Sequence, residues 1–209
     1  TVDLRCRMGF RSTLRLPGRP FELHLLGFDS AWFAGADDDA GKLLLTQDQV
    51  MRLATNAAGT QLMGLRIGLV HHPLTDLADG TSCRRLLADH TDVLLRGHQH
   101  EPEPERWADP ERRLLQLAAG CLYDGHKADQ FPNGHQLIRI WTDDAGRPQR
   151  YEVRFRAYSA RGFWHDDSSL YQSAKQGRLT LAADGRTLTE PKFFVVPLEE
   201  NPYFTGRDQ

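Results

Sequence analysis

Two histidine clusters, each placed just past a short apolar run, constrain this chain more than any other feature. Val70-His71-His72-Pro73 ends the run Leu65–Val70, and Gly97-His98-Gln99-His100 follows Val93–Leu95. Between them, Cys83–Asp89 carries Cys83, Leu86 and Leu87 at the spacing of one helical face. Strand, helix and strand at this separation form a βαβ unit whose strands are parallel neighbours. Ligand sites in such sheets gather outside the carboxyl ends of the strands. The pattern therefore predicts three or four imidazoles in one crevice, which is the donor chemistry of a transition-metal site.

The rest of the chain narrows the setting. Its 209 residues suffice for one good-sized core, or a core with an appendage, at roughly 150 residues per domain. With 26 Lys and Arg against 28 Asp and Glu, bulk charge argues neither for nor against a nucleic-acid partner. The nine histidines are the compositional oddity, and His71, His72, His90, His98 and His100 fall within one short stretch. Cys6, Cys83 and Cys121 are far apart and odd in number, which speaks against a disulfide framework or a zinc knuckle. No apolar run approaches the roughly 18 residues that span a bilayer, and no signal-peptide pattern opens the chain. A reducing, cytoplasmic setting without a membrane partner is the expectation. Thr1 in place of Met predicts a chain processed or cut from something longer.

Further elements follow from pattern. Phe21–Gly27 reads as a buried strand running into Asp29-Ser30, and Ala36–Gly41 as a loop whose Asp37, Asp38 and Asp39 form a solvated acidic turn. Thr46-x-x-Gln49 is a capping box opening a helix with Val50, Leu53 and Ala54 on one face. The alternation of Pro102 and Pro104 with acids makes Glu101–Glu105 an irregular loop. Leu114–Ala118 is a strand, and Leu137–Trp141 with Tyr151–Ala157 form a hairpin around Asp143–Gly146. From Tyr158 the chain turns aromatic, with Phe163, Trp164, Tyr171, Phe193, Phe194 and Tyr203 among short polar loops. The expected division is 1–158 as one domain and 159–209 as a C-terminal extension or a linker to a further domain. Trp164-His165-Asp166-Asp167 reads as a surface turn rather than a metal site.

The two histidine blocks, with Leu26-Gly27-Phe28-Asp29-Ser30 before them and Leu117-Ala118-Ala119-Gly120 after, resemble the calcineurin-like metallophosphoesterases from about Phe21 to about Tyr158. The resemblance implies an α/β, or α+β, two-sheet sandwich flanked by helices, and hydrolysis of phosphomonoesters or phosphodiesters. It implies two divalent metal ions (manganese, iron or zinc), with His71 and His98 on one ion and His100 on its partner. His72 would be a neighbour, structural or substrate-facing. The family's opening blocks, Asp-x-His, Gly-Asp-x-x-Asp and Gly-Asn-His-Asp or Glu, are absent from this chain. They carry the bridging aspartate, the asparagine ligand and the general acid, which is therefore expected outside this chain.

Three neutral imidazoles do not offset the mutual repulsion of two close cations, and the missing strands would leave an open sheet edge. The resemblance thus implies the carboxyl-terminal part of the domain, with its amino-terminal part cleaved or supplied elsewhere, and a chain inactive by itself. Two other readings stand beside the hydrolase: a non-catalytic binding or regulatory module in a larger assembly, and a single structural zinc on His71, His98 and His100. Substrate contacts belong to the loops Ala34–Gly41, Pro102–Glu111 and Tyr123–His135, the last holding Asp124, His126, Lys127, Asp129 and His135. Nucleotides, cyclic nucleotides, nucleic-acid ends and phosphoproteins all remain open as substrates.

Overall fold

Period-two apolar patterns build two sheets. The computed structural model describes residues 2–3, 8–35, 38–122 and 133–183. The first sheet contains β1 (Val2–Asp3), β2 (Gly9–Arg15), β3 (Glu22–Phe28), β4 (Leu65–Val70), β5 (Val93–Arg96), β6 (Glu103–Ala108) and β7 (Arg113–Ala118). Their order is β1-β2-β3-β4-β5-β7-β6, with β3, β4, β5 and β7 parallel and β2 and β6 antiparallel to their neighbours. The second sheet has β9 (Pro148–Tyr158) at its centre. β8 (Gly134–Thr142) pairs along one side, and β10 (Trp164–Asp166) and β11 (Arg178–Ala182) follow one another along the other.

Side chains alternate between two cores. From β5, Leu94 turns toward helices α1 (Gln47–Ala54) and α2 (Gly80–His90), where Leu26, Phe28, Val50, Leu53, Cys83 and Leu87 are buried. Val93, Leu115 and Leu117 turn the other way, against Tyr151, Val153, Phe155, Leu179 and Leu181 of the second sheet. Helices, large sheet and small sheet thus stack as three layers. The expected α/β two-sheet sandwich with external helices is the observed architecture, and no helix among the described residues is long and apolar enough to cross a membrane.

Several elements depart from the sequence reading. Glu103–Ala108 is a strand, not part of an irregular loop. It lies at the sheet edge, the place where the missing N–H of Pro104 costs no ladder bond. The side of β3 away from β4 carries β2 and then β1, so that edge is covered. The chain returns from β2 to β3 through Gly18, whose φ of 72° is the left-handed conformation glycine tolerates. The ring of Phe10 lies where a side chain on Gly27 would be, 2.1 Å from an added Cβ. Beyond Tyr158, β10 and β11 are strands of the second sheet paired to β9. Trp164–Asp166 is therefore strand rather than turn, and Asp166 accepts from Arg154 and Arg156. Phe193, Phe194 and Tyr203, with Asp37, Asp124, His126, Lys127 and Asp129, lie outside the described residues.

Candidate metal centre

The parallel register decides where the histidines meet. Val70 pairs with Arg96 at the carboxyl ends of β4 and β5. The ladder runs one step further, since the Gly97 N–H donates to the His71 carbonyl at 3.1 Å. A Cβ on Gly97 would stand 3.3 Å from His71 Nδ1, so glycine lets the imidazole lie close to the neighbouring strand. The backbone then coils tightly, with Gln99 N–H donating to Gly97 O at 2.9 Å. His98 and His100 adopt φ values of 71° and 64°, a left-handed conformation that costs a non-glycine residue about 1–2 kcal/mol. Buried Arg96 braces this loop by donating to Gln99, and to Glu103 at 3.2 Å.

That geometry brings together a trio. His71 Nε2 and His98 Nδ1 lie 3.4 Å apart, and His71, His72 and His98 each offer a nitrogen within 4.8 Å of the others. Two nitrogens on one tetrahedral zinc, each at about 2.0–2.1 Å, stand roughly 3.4 Å apart. The donor set therefore fits a divalent transition-metal ion. His98 and His100 were expected on one side of an extended segment. The two left-handed residues remove that premise, and His100 is not a member of the trio, although it bears electrostatically on His71.

His72 enters through a buried polar chain. Ser30 Oγ is 3.0 Å from His72 Nδ1 and accepts the His72 backbone N–H at 3.2 Å. Ser30 is held because Gln49 of α1 accepts from the Asp29 N–H at 2.6 Å and donates to the Asp29 carbonyl at 3.1 Å. The capping box works as expected at its first position, with Thr46 Oγ1 accepting from Gln49 N. Its glutamine side chain turns inward to clamp the end of β3 instead of reaching back to the cap.

On the solvent side, the 3-10 turn Leu74–Asp76 presents a carboxylate, and Asp76 Oδ2 lies 3.9 Å from His98 Nε2. Asp39, His72, Asp76 and His98 share the wall of a cleft of about 530 Å³. A second cleft of about 500 Å³, bordered by Phe10, Gly27, Asp29, His71 and Gly97, opens on the other side.

Electrostatics favours the metal-binding form of the rings. Burial, then the neighbouring His98 and His100, holds the His71 pKa below the ordinary imidazole value. Burial, then His71 and His98, lowers that of His72, against an opposing pull from Asp76 and Ser30. Both stay neutral near pH 7, and a neutral imidazole has the lone pair a metal needs.

Other sequence candidates fall elsewhere. His135 packs edge-on against Trp164 in the second sheet, with ring centroids 4.6 Å apart. Asp39, read as part of a solvated turn, lines the cleft beside the trio. Asp76 and the clamping role of Gln49 were not foreseen. An acid three residues beyond His-His-Pro was the available signal for Asp76, while nothing local marks Gln49.

No family model and no curated protein matches the sequence. Among solved structures, the chain is similar to the sulfate thiohydrolase SoxB of Thermus thermophilus, solved in complex with glycerol. The TM-score is 0.43 and the identity 14%, over 70% of this chain and 24% of that one. It is also similar to a single-substitution variant of Vps29 from Entamoeba histolytica, with TM-score 0.28 and 12% identity over 76% of this chain and 61% of that one. The chain therefore spans about a quarter of the first of these proteins and about three fifths of the second.

Proposed function

We propose that this chain is the carboxyl-terminal part of a metal-dependent hydrolase of phosphomonoesters or phosphodiesters. The observation that carries the reading is the trio of imidazole nitrogens within 4.8 Å, at the carboxyl ends of β4 and β5 and beside an open cleft. In the full site two ions of manganese, iron or zinc are held, with His71 and His98 toward one and His100 toward the other. Carboxylate and asparagine ligands and the general acid come from an amino-terminal segment or a second chain. A divalent ion supplies Lewis-acid polarisation of a phosphoryl oxygen and brings the ionisation of water toward neutral pH.

This chain's own share is binding and orientation. Gly97 lets His71 approach β5, Ser30 fixes His72 at the cleft wall, and the coil at His98 turns its Nδ1 toward His71. The test uses the full natural protein loaded with manganese and a generic phosphodiester such as bis(p-nitrophenyl) phosphate. Metal-dependent turnover is expected, and His98→Ala should remove most of it. Equal rates in variant and parent would refute the assignment of His98. No turnover in a metal-loaded, folded protein would leave a non-catalytic binding module as the better reading.

A further inference from the structure

The outer face of the second sheet carries a surface that the metal centre does not use. Tyr151, Val153 and Phe155 of β9 are buried against the large sheet, so alternate residues from Arg150 to Tyr158 stand outward. Paired residues share a face. The register sets Trp141 beside Arg150, Arg139 beside Glu152, and both Leu137 and Arg178 beside Arg154. His135 and Asp166 flank Arg156, and Trp164 stands beside Tyr158 at the end of the row.

Charge on this face is one-sided, although that of the whole chain is nearly balanced. Arg139, Arg150, Arg154, Arg156 and Arg178 share these rows with two acids, Glu152 and Asp166. Asp166 accepts from Arg154 at 2.7 and 2.9 Å and from Arg156 at 2.9 Å, while Glu152 lies 3.6 Å from Arg139. Two carboxylates offset two guanidiniums, which leaves a positive surplus. Arg139, Arg154 and Arg178 border a shallow hollow of about 200 Å³ with Leu137 at its wall. Arginine offers five N–H donors, so even Arg154 keeps some for an anion in that hollow.

Aromatic rings flank the hollow at both ends. The Arg150 guanidinium stacks 3.6 Å from the centre of the Trp141 ring, and that of Arg139 lies 5.6 Å from it. At the other end the Trp164 ring centre is 4.6 Å from that of His135 and 5.2 Å from that of Tyr158. Leu137, Tyr158 and Trp164 are exposed. At about 3.4 Å per residue, the platform from Arg150 to Tyr158 is roughly 27 Å long.

We propose that this face binds single-stranded nucleic acid, with backbone phosphates over Arg139, Arg154 and Arg178 and bases stacked on the rings at either end. A single strand satisfies both features, because it offers a line of negative charge and unpaired bases that stack on a sheet face. A duplex keeps its bases stacked within itself, and an acidic peptide has no ring faces to match Tyr158 and Trp164. Contacts to phosphates and ring faces do not read the sugar, so DNA and RNA bind alike. The inference stands apart from the hydrolase reading, since it uses no member of the histidine trio.

The experiment is fluorescence anisotropy of labelled oligo(dT) and oligo(U), each of about 20 nucleotides, with the full natural protein and EDTA present. A duplex of equal length and poly-glutamate are the competitors. Three neutralised phosphates give a salt slope of about −2, hence an affinity loss of about 20-fold between about 50 and 200 mM salt. Arg139→Gln combined with Arg178→Gln should reduce that slope to about −0.7. Trp164→Ala should leave the slope unchanged but weaken binding at least about fivefold at fixed salt, and Trp164→Phe should recover most of the loss. Circular dichroism shows whether each variant folds, and Tyr158→Ala gives the same reading should Trp164→Ala fail to fold. Duplex or poly-glutamate bound as tightly as oligo(dT), parent-like affinity in the ring variants, or no binding by the parent would each overturn the proposal.

Discussion

The amino-terminal ends of β4 and β5 are joined by an ion pair whose removal should be among the most damaging single changes in the protein. Asp92 accepts from the Arg66 backbone N–H at 2.7 Å, from Arg66 Nε at 3.0 Å and from Arg66 Nη2 at 2.6 Å. The side chains are only 12% and 10% exposed. The Asp92 carbonyl also accepts from the Tyr151 hydroxyl at 2.7 Å, which ties the second sheet to the same point. Asp92→Ala leaves a mostly buried guanidinium without its carboxylate, next to an Nη1 that already lacks a hydrogen-bond partner. Breaking a buried pair this way costs about 3–5 kcal/mol, and residual exposure places this one near the lower end, about 3 kcal/mol.

With a urea m-value of about 2 kcal/mol/M, that loss moves the unfolding midpoint down by roughly 1.5 M. The internal comparison is Asp48→Ala, which breaks an Arg52–Asp48 pair of 2.6 Å whose side chains are 60% and 66% exposed. That pair is worth about 0.3–0.5 kcal/mol despite an equally short contact of 2.6 Å. Burial, not distance, separates the two. Urea denaturation of both variants, followed by tryptophan fluorescence and circular dichroism, tests this directly. Indistinguishable midpoints would refute the argument. Because Arg66 and Asp92 lie at the far end of the β4–β5 pairing from His71 and His98, Asp92→Ala should also loosen the register that brings those imidazoles together.

Two further outcomes follow from titratable groups. His90, His71 and His72 all have imidazole pKa values lowered chiefly by burial, so the unfolded chain binds more protons below pH 6.5. Stability conferred by their neutral forms is present above pH 6.5 and is lost as pH falls through the depressed values. The urea midpoint with chelator present should therefore decline from pH 7 toward pH 5, and a flat profile would contradict the assignment. Burial, then the Asp79 carboxylate, pushes the Cys83 thiol up to about 12. A thiol reagent at pH 8 should thus leave Cys83 unmodified in the native protein and label it after denaturation, with rapid native labelling as the refuting result.

The parts of the fold legible in the sequence are those whose burial imposes a period. Leu65–Val70 coincides with its strand, and Val93–Arg96, Arg113–Ala118 and the hairpin strands lie within a few residues of expectation, because the first three are packed on both faces and Tyr151, Val153 and Phe155 of the hairpin alternate toward the core. The missed strands are β1, β2, β6, β10 and β11. β6, β10 and β11 lie at sheet edges and β2 is bordered on one side only by the two-residue β1, and half-exposed faces tolerate arginine, glutamate and proline that erase the alternation.

By itself, the sequence determined the βαβ unit and the placement of His71 and His98 at its carboxyl edge, since apolar spacing sets strand direction and strand direction sets where the loops emerge. It could not determine which imidazoles converge. His72 joins because Ser30 and Gln49, 42 and 20 or more positions away along the chain, are buried beside the end of β3. His100 leaves the trio because left-handed backbone at His98 and His100 breaks the extended geometry that their spacing suggests. Asp76 faces His98 only because a 3-10 turn folds it back across the cleft. Local periodicity is written in neighbouring residues, but the convergence of donor atoms depends on long-range packing, which only the tertiary structure supplies.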